Sequence, residues 1–194
     1  MVIGMVMSID GATALGGRSG GLGGPGDKAV FAALRAQADV ILVGATTART
    51  ERYRAPRRAG QRIAVVSRTG DVDPGTDLFP SGAGIAVVTE ETEVRPGVPA
   101  LRAGSGSVEL GDALRQLDAD VVVAEGGPTL NGQLIAADLV DEVCVTVAPM
   151  LVAGTSTRIA AGLGEVARRM SLEHALESDG ELFLRYRRLR APDR

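Results

Sequence analysis

Short apolar runs bounded by turn residues punctuate the chain, and amphipathic stretches lie between them. Runs of this kind predict fully buried strands over 2–7, 39–44, 62–66, 85–89 and 121–124. Between them, Asp27 to Ala38 places Val30, Ala33, Leu34 and Ala38 at helical spacing, with Asp27 near the start where the dipole favours it. Residues 108–117 and 128–137 read as further helices, the second carrying Leu130, Leu134 and Ile135 on one side, and a short helix follows Gly44. Glu142 to Ala148 alternates with period two before Pro149, which predicts a half-exposed strand near a sheet edge. Residues 172–177 and 181–189 suit a terminal hairpin around Asp179-Gly180, and 70–83, rich in Gly, Pro and Asp, a surface connection. Strands alternating with helices before a closing strand pair predict an α/β chain with a mainly parallel sheet and antiparallel C-terminal strands.

Composition narrows the choice of chemistry. A chain of 194 residues with 45% hydrophobic content is long enough for a sizeable core, and a single domain over 1–194 is the simplest organisation. A net charge of −3 leaves no broad basic face for a nucleic-acid backbone. The basic run Arg185 to Arg190 suits an exposed terminal strand whose charges discourage edge pairing. Cys144 is the single cysteine and His174 the single histidine, so a disulfide framework is excluded within one chain and no metal site is expected. The apolar start, residues 1–7, is too short for a membrane span and has no basic segment before it, so a soluble, cytoplasmic protein is expected.

The chemistry concentrates where strands end. Residues 121–124 run into Glu125-Gly126-Gly127-Pro128-Thr129-Leu130, a strand, a glycine turn and a helix start with proline in its first turn. Free backbone N–H groups at such a start hold an anion, typically a phosphate, without a basic side chain; the same residues also suit an ordinary tight turn. Gly44-Ala45-Thr46-Thr47 ends the second strand in the same way. In an open parallel sheet such turns line one crevice. Ser67-Arg68 closes the third strand, and a basic residue there is the usual discriminator of an NADP 2′-phosphate, although exposed arginines are common. Seven glycines between Gly16 and Gly26 suit a loop whose backbone approaches a flat ligand. Asp10, in an Asp-Gly turn, suits either a turn residue bonding its own backbone or a working carboxylate.

Several segments together resemble the reductase domain of bacterial riboflavin biosynthesis, the dihydrofolate-reductase-like half of the bifunctional pyrimidine deaminase/reductase. They are Ser8-Ile9-Asp10-Gly11, the loop ending Leu22-Gly23-Gly24-Pro25, Leu34-Arg35-Ala36 with Asp39 through Thr47, Glu125 through Leu130, Leu139-Val140-Asp141-Glu142, and Ala148-Pro149. They follow the family's order over nearly the whole chain, without a counterpart of its zinc-binding deaminase half. The resemblance implies a stand-alone reductase with a three-layer fold, helices on both faces of the sheet and NADPH as cofactor. Its substrate would be 5-amino-6-(5-phosphoribosylamino)uracil, reduced to the ribitylamino product. It further implies cofactor contacts from Met7, Gly44, Thr46, Thr47, Ser67, Arg68, Gly126, Gly127, Pro128, Thr129 and Leu130, with the pyrophosphate against 127–132. Substrate contacts would come from Ser19, Arg35, Arg58 and Glu125, with Asp10 and Glu125 as the catalytic carboxylates.

Departures from the family pattern fall mostly on the substrate side. Many members carry lysine in the first strand, where this chain has Gly4 or Met5, and an aromatic residue in the loop where it has Gly21 and Leu22; the usual Asp-Asp-Pro run is Glu51-Arg52-Tyr53. Two alternatives follow: a paralogous reductase of another heterocycle such as dihydrofolate, and a nucleotide-binding protein without turnover. A homodimer is expected from the edge-like strand at 142–148 and the terminal pair.

Overall fold

The computed structural model describes residues 1–73, 75–162 and 164–190. One nine-stranded sheet runs through it, and the segments are β1 (Val2–Ser8), α1 (Pro25–Gln37), β2 (Val40–Gly44), α2 (Ala45–Thr50), β3 (Arg62–Val66), β4 (Gly84–Val88), β5 (Ala100–Arg102), α3 (Leu110–Leu117), β6 (Val122–Ala124), α4 (Pro128–Ala136), β7 (Glu142–Ala148), β8 (Met170–Ser178) and β9 (Glu181–Arg188). The strand order is β5-β4-β3-β2-β6-β1-β7-β9-β8. β1 to β7 pair in parallel, and β9 runs antiparallel to both β7 and β8.

Two apolar layers flank the sheet, because its central strands are apolar on both sides. Leu110, Ala113 and Leu117 of α3 and Leu130 and Leu134 of α4 pack on Ile3, Val40, Leu42 and Ala124. On the other face Ala45 and Ala48 of α2, with Leu34 of α1, pack on Ile41, Val43, Ile63 and Val65. This is the expected three-layer α/β fold. α2 leaves β2 on one face and α4 leaves the adjacent β6 on the other, so a crevice opens at the carboxyl ends of β2 and β6, the place where such sheets bind ligands.

Three expectations change. β7 is not near an edge: β1 and β9 cover its two sides, and its alternation reflects partial burial within the sheet. The basic run lies on β9, one strand in from the edge: Arg185 pairs with Glu142 at 2.6 Å and Arg188 with Asp138 at 2.9 Å, while the sheet's two edges are β5 and β8. Residues 70–83 are not wholly surface, for Val72, Leu78 and Phe79 are 2%, 0% and 8% exposed. Their Gly, Pro and Asp neighbours hide that apolar anchor, and Pro74 lies outside the described residues. β5 is too short to leave a periodic signature. Among the described residues no helix is long and apolar enough to cross a membrane.

Candidate active site

Two glycine turns meet at the crevice. The Gly44 N–H donates to the Gly126 carbonyl at 2.7 Å, which locks the end of β2 to the turn after β6. Gly126 has φ +86°, so an L side chain there is strained, and its backbone lies against Met5. A Cβ on Gly127 would stand 2.7 Å from Thr47 Oγ1, and one on Gly44 would stand 3.3 Å from the Gly127 nitrogen. Gly127 begins α4 without a side-chain cap, and the first α4 amide bonded to it is that of Asn131, at 3.0 Å. The N–H groups of Thr129 and Leu130 are thereby left at the positive end of a nine-residue helix. The cradle has the features a diphosphate needs: bare glycine backbone that would let it approach, free amides that could receive it and the Thr47 and Thr129 hydroxyls nearby.

The remaining residues expected at the cofactor take distinct positions. Pro128 opens α4, while Leu130 is 4% exposed and turns its side chain into the core, so its contribution is its N–H. Gly132 faces the protein instead, since a Cβ on it would collide with the Ala161 carbonyl. Thr46 is exposed on α2, and Met7 is half-buried near the end of β1. Ser67 is 5% exposed and its hydroxyl accepts from the N–H groups of Thr69 and Gly70, shaping the turn that presents the exposed Arg68.

A cleft of about 800 Å³ opens between α1, the loop at 19–23 and residues 51–61. Three expected substrate residues, Ser19, Arg35 and Arg58, line it. The fourth, Glu125, has a side chain only 1% exposed, and Arg35 reaches it with Nε and Nη2 at 2.6 Å each, a bidentate fork. The Tyr53 hydroxyl donates to the same carboxylate, and its ring lies 5.4 Å beneath the Arg35 guanidinium. The hydrogen bonds that Arg35 donates to Glu125 hold it firmly protonated, and burial pushes the Tyr53 hydroxyl well above its ordinary range. The arrangement is a fixed carboxylate with one protonated phenol and one permanent cation. Tyr53 is the member to which the sequence assigned no role: Glu51-Arg52-Tyr53 stands there only as a departure from the family's Asp-Asp-Pro run.

Ser19 and Arg58 are engaged locally. The Ser19 N–H and hydroxyl donate to Glu51 at 2.8 and 3.1 Å. Arg58 donates to the Ala36 and Ala38 carbonyls and pairs with Asp39, clamping the 51–61 loop to the end of α1. The cations on the cleft lining without an ion pair among the described residues are Lys28, Arg52, Arg54 and Arg57. A phosphate clamp therefore falls more naturally to them than to Arg58.

Asp10 follows the carboxyl end of β1, next to β6, and is not among the residues lining the cleft. Its carboxylate accepts from the Ser8 hydroxyl and from the Val152 and Ala153 N–H groups, the last at 2.7 Å. These bonds, that of Ser8 foremost, hold its pKa at about 2. A depressed carboxyl contributes stability above its unfolded value of 3.8 and loses it as pH falls toward 2. Asp10→Asn should accordingly flatten the acid limb of a thermal-melt series in that window, and an unchanged limb would remove this clamp from the account.

Comparison with known proteins bears on the whole chain. A family model described as the RibD C-terminal domain matches residues 1–184. No curated protein matches the sequence. Among solved structures, a pyrimidine reductase-like protein from Corynebacterium diphtheriae is similar at 25% identity and TM-score 0.84, covering 98% of this chain and 91% of that one. RibD of Acinetobacter baumannii is similar at 18% identity and TM-score 0.79, over 97% of this chain, which spans 57% of that protein. The riboflavin biosynthesis reductase Rib7 of Saccharomyces cerevisiae aligns at 18% identity and TM-score 0.70, over 97% and 89% of the two chains. The match over 1–184 and the shared three-layer architecture agree, and the chain belongs to the RibD C-terminal domain family.

Proposed function

We propose that this chain is an NADPH-dependent reductase of riboflavin biosynthesis that reduces 5-amino-6-(5-phosphoribosylamino)uracil to its ribitylamino product. The observation that carries the reading is the pairing, in a RibD C-terminal domain, of a glycine cradle at Gly44 and Gly126-Gly127 with a cation-rimmed cleft beside it. NADPH, bound with its diphosphate on the α4 amides, supplies the hydride. The chain's own work is placement, since near-attack geometry supplies much of the rate in such a transfer. Lys28, Arg52, Arg54 and Arg57 attract the substrate phosphate, and Arg35 with Glu125 fixes the open-chain ribose through charge-assisted bonds. Hydride addition to the carbon of the C=N or C=O bond would leave an electron pair that takes one proton, drawn in the end from water; the Tyr53 hydroxyl, held by Glu125, is the protonated group that could pass it on and be re-protonated from solvent.

Steady-state NADPH consumption tests this directly. The pyrimidine ribotide should be turned over, and dihydrofolate should not. A second reading, a paralogous reductase of another heterocycle such as dihydrofolate, is favoured by Met5 and Gly4 standing where many relatives place lysine. Turnover of dihydrofolate alone would select it.

Arg68 stands exposed beyond β3, where a 2′-phosphate would lie. Arg68→Ala should weaken NADPH by roughly tenfold or more, the scale of one charge-assisted bond, and leave NADH nearly unchanged. Equal loss for both cofactors in a binding titration would take Arg68 out of the site. A homodimer is proposed through β8, the exposed edge that carries Leu172 and Leu176.

A further inference from the structure

The fold buries Asp27 and leaves one of its carboxyl oxygens unpaired. It lies in the first turn of α1 at 8% exposure, where a carboxylate would ordinarily be rewarded by the free helix amides. Those amides are already served from elsewhere: Glu181, at the start of β9, accepts from the Gly24 N–H at 2.6 Å and from that of Asp27 at 3.4 Å. Asp27 Oδ1 is buried with no hydrogen-bond partner. The carboxyl presses on Gly23 so closely that a Cβ on that residue would collide with it. It lines the same cleft as Arg35, beside Val6, Phe31 and Ile41. A buried polar atom without a partner is costly, and where it borders a cleft a bound molecule can supply the missing bond.

We propose that Asp27 reads the ring edge of the substrate, its carboxyl pairing with a ring N–H and the adjacent carbonyl of an oxo-pyrimidine. The proposal deepens the functional reading above and rests on it. An edge with one donor and one acceptor needs one acceptor and one donor from the protein, which a neutral carboxyl supplies and a carboxylate does not. The surroundings shift the carboxyl toward the neutral form. Burial raises the Asp27 pKa above 3.8, Glu181 raises it further, and the Thr146 hydroxyl of β7 and the Lys28 ammonium oppose them. A ring that offers two donors, as a 2-amino heterocycle does, would call for the ionised form instead.

Asp27→Asn and Asp27→Leu test the pairing, because asparagine keeps one donor and one acceptor and leucine keeps neither. The probes are the ribitylaminouracil product, a 2-amino-4-oxopteridine and NADPH, each followed by calorimetry across about pH 5–8 with thermal midpoints alongside. Asp27→Leu should weaken the uracil tenfold or more and Asp27→Asn less than threefold, with NADPH affinity unchanged in both. Uracil binding by the native chain should weaken as pH rises through the Asp27 pKa, and binding by the Asn variant should stay flat. Both midpoints should equal or exceed the native one at neutral pH, since a raised carboxyl pKa means the ionised form costs stability there. A Leu variant that binds uracil like the native chain overturns the role of Asp27 and leaves the reductase reading standing. A native chain that binds the pteridine and not the uracil, and loses it in both variants, overturns the paired edge together with the uracil reading.

Discussion

Gly127→Val abolishes binding of NADPH while Arg35, Glu125 and Tyr53 keep their arrangement. The expectation follows from distance, since a single Cβ at Gly127 stands 2.7 Å from Thr47 Oγ1 and the two further methyl groups of valine fill the space over the α4 amides. Forcing extra carbons into a packed site costs about 1–3 kcal/mol of stability, which a melting curve reads separately from the loss of affinity. Gly127→Ala is the graded control: Thr47 must turn aside, and affinity should fall by roughly tenfold to a hundredfold, on the scale of one or two lost hydrogen bonds. Normal NADPH affinity in a folded Gly127→Val chain would show that the turn is not the diphosphate cradle.

Glu125→Gln gives the second large effect, on turnover rather than on cofactor binding. The carboxylate anchors both the Arg35 fork and the Tyr53 hydroxyl; the amide keeps one acceptor oxygen and turns an NH2 donor toward the other site, so the bidentate fork is broken even where that oxygen still accepts from Arg35 Nη2 and Tyr53. Loss of orientation together with proton relay should lower kcat/KM by about 10²–10⁴, with the NADPH dissociation constant unchanged. Removing one partner of a fully buried ion pair costs about 3–5 kcal/mol, but Arg35 keeps 45% of its side chain in solvent, so about 1–2 kcal/mol is expected here. Activity within a few-fold of the native chain would assign Glu125 a purely structural role.

Much of the fold was legible because its strands are short, apolar and parallel, and buried parallel strands leave continuous hydrophobic runs. β3 and β7 fall where the pattern put them. The position of β7 in the sheet was not legible, since alternation reports which side of a strand is wet and not how many neighbours it has. Arg185 and Arg188 read as solvent charges until Glu142 and Asp138, more than forty residues away, neutralise them. The glycine turns could be read because Gly44 and Gly126-Gly127 each interrupt a strand. Tyr53 and Asp27 could not, for a tyrosine between arginines and an aspartate in a helix's first turn look ordinary until the chain folds one under Arg35 and the other against Gly23.

The account turns on two glycine turns at adjacent strand ends gripping one dinucleotide beside the cation-rimmed cleft. A crystal soaked with NADPH measures this most directly. The diphosphate should lie on the Thr129 and Leu130 amides, with Thr47 on one side and the nicotinamide directed toward Arg35 and Glu125. Density for the cofactor on another face, or none at saturating concentration, would contradict it.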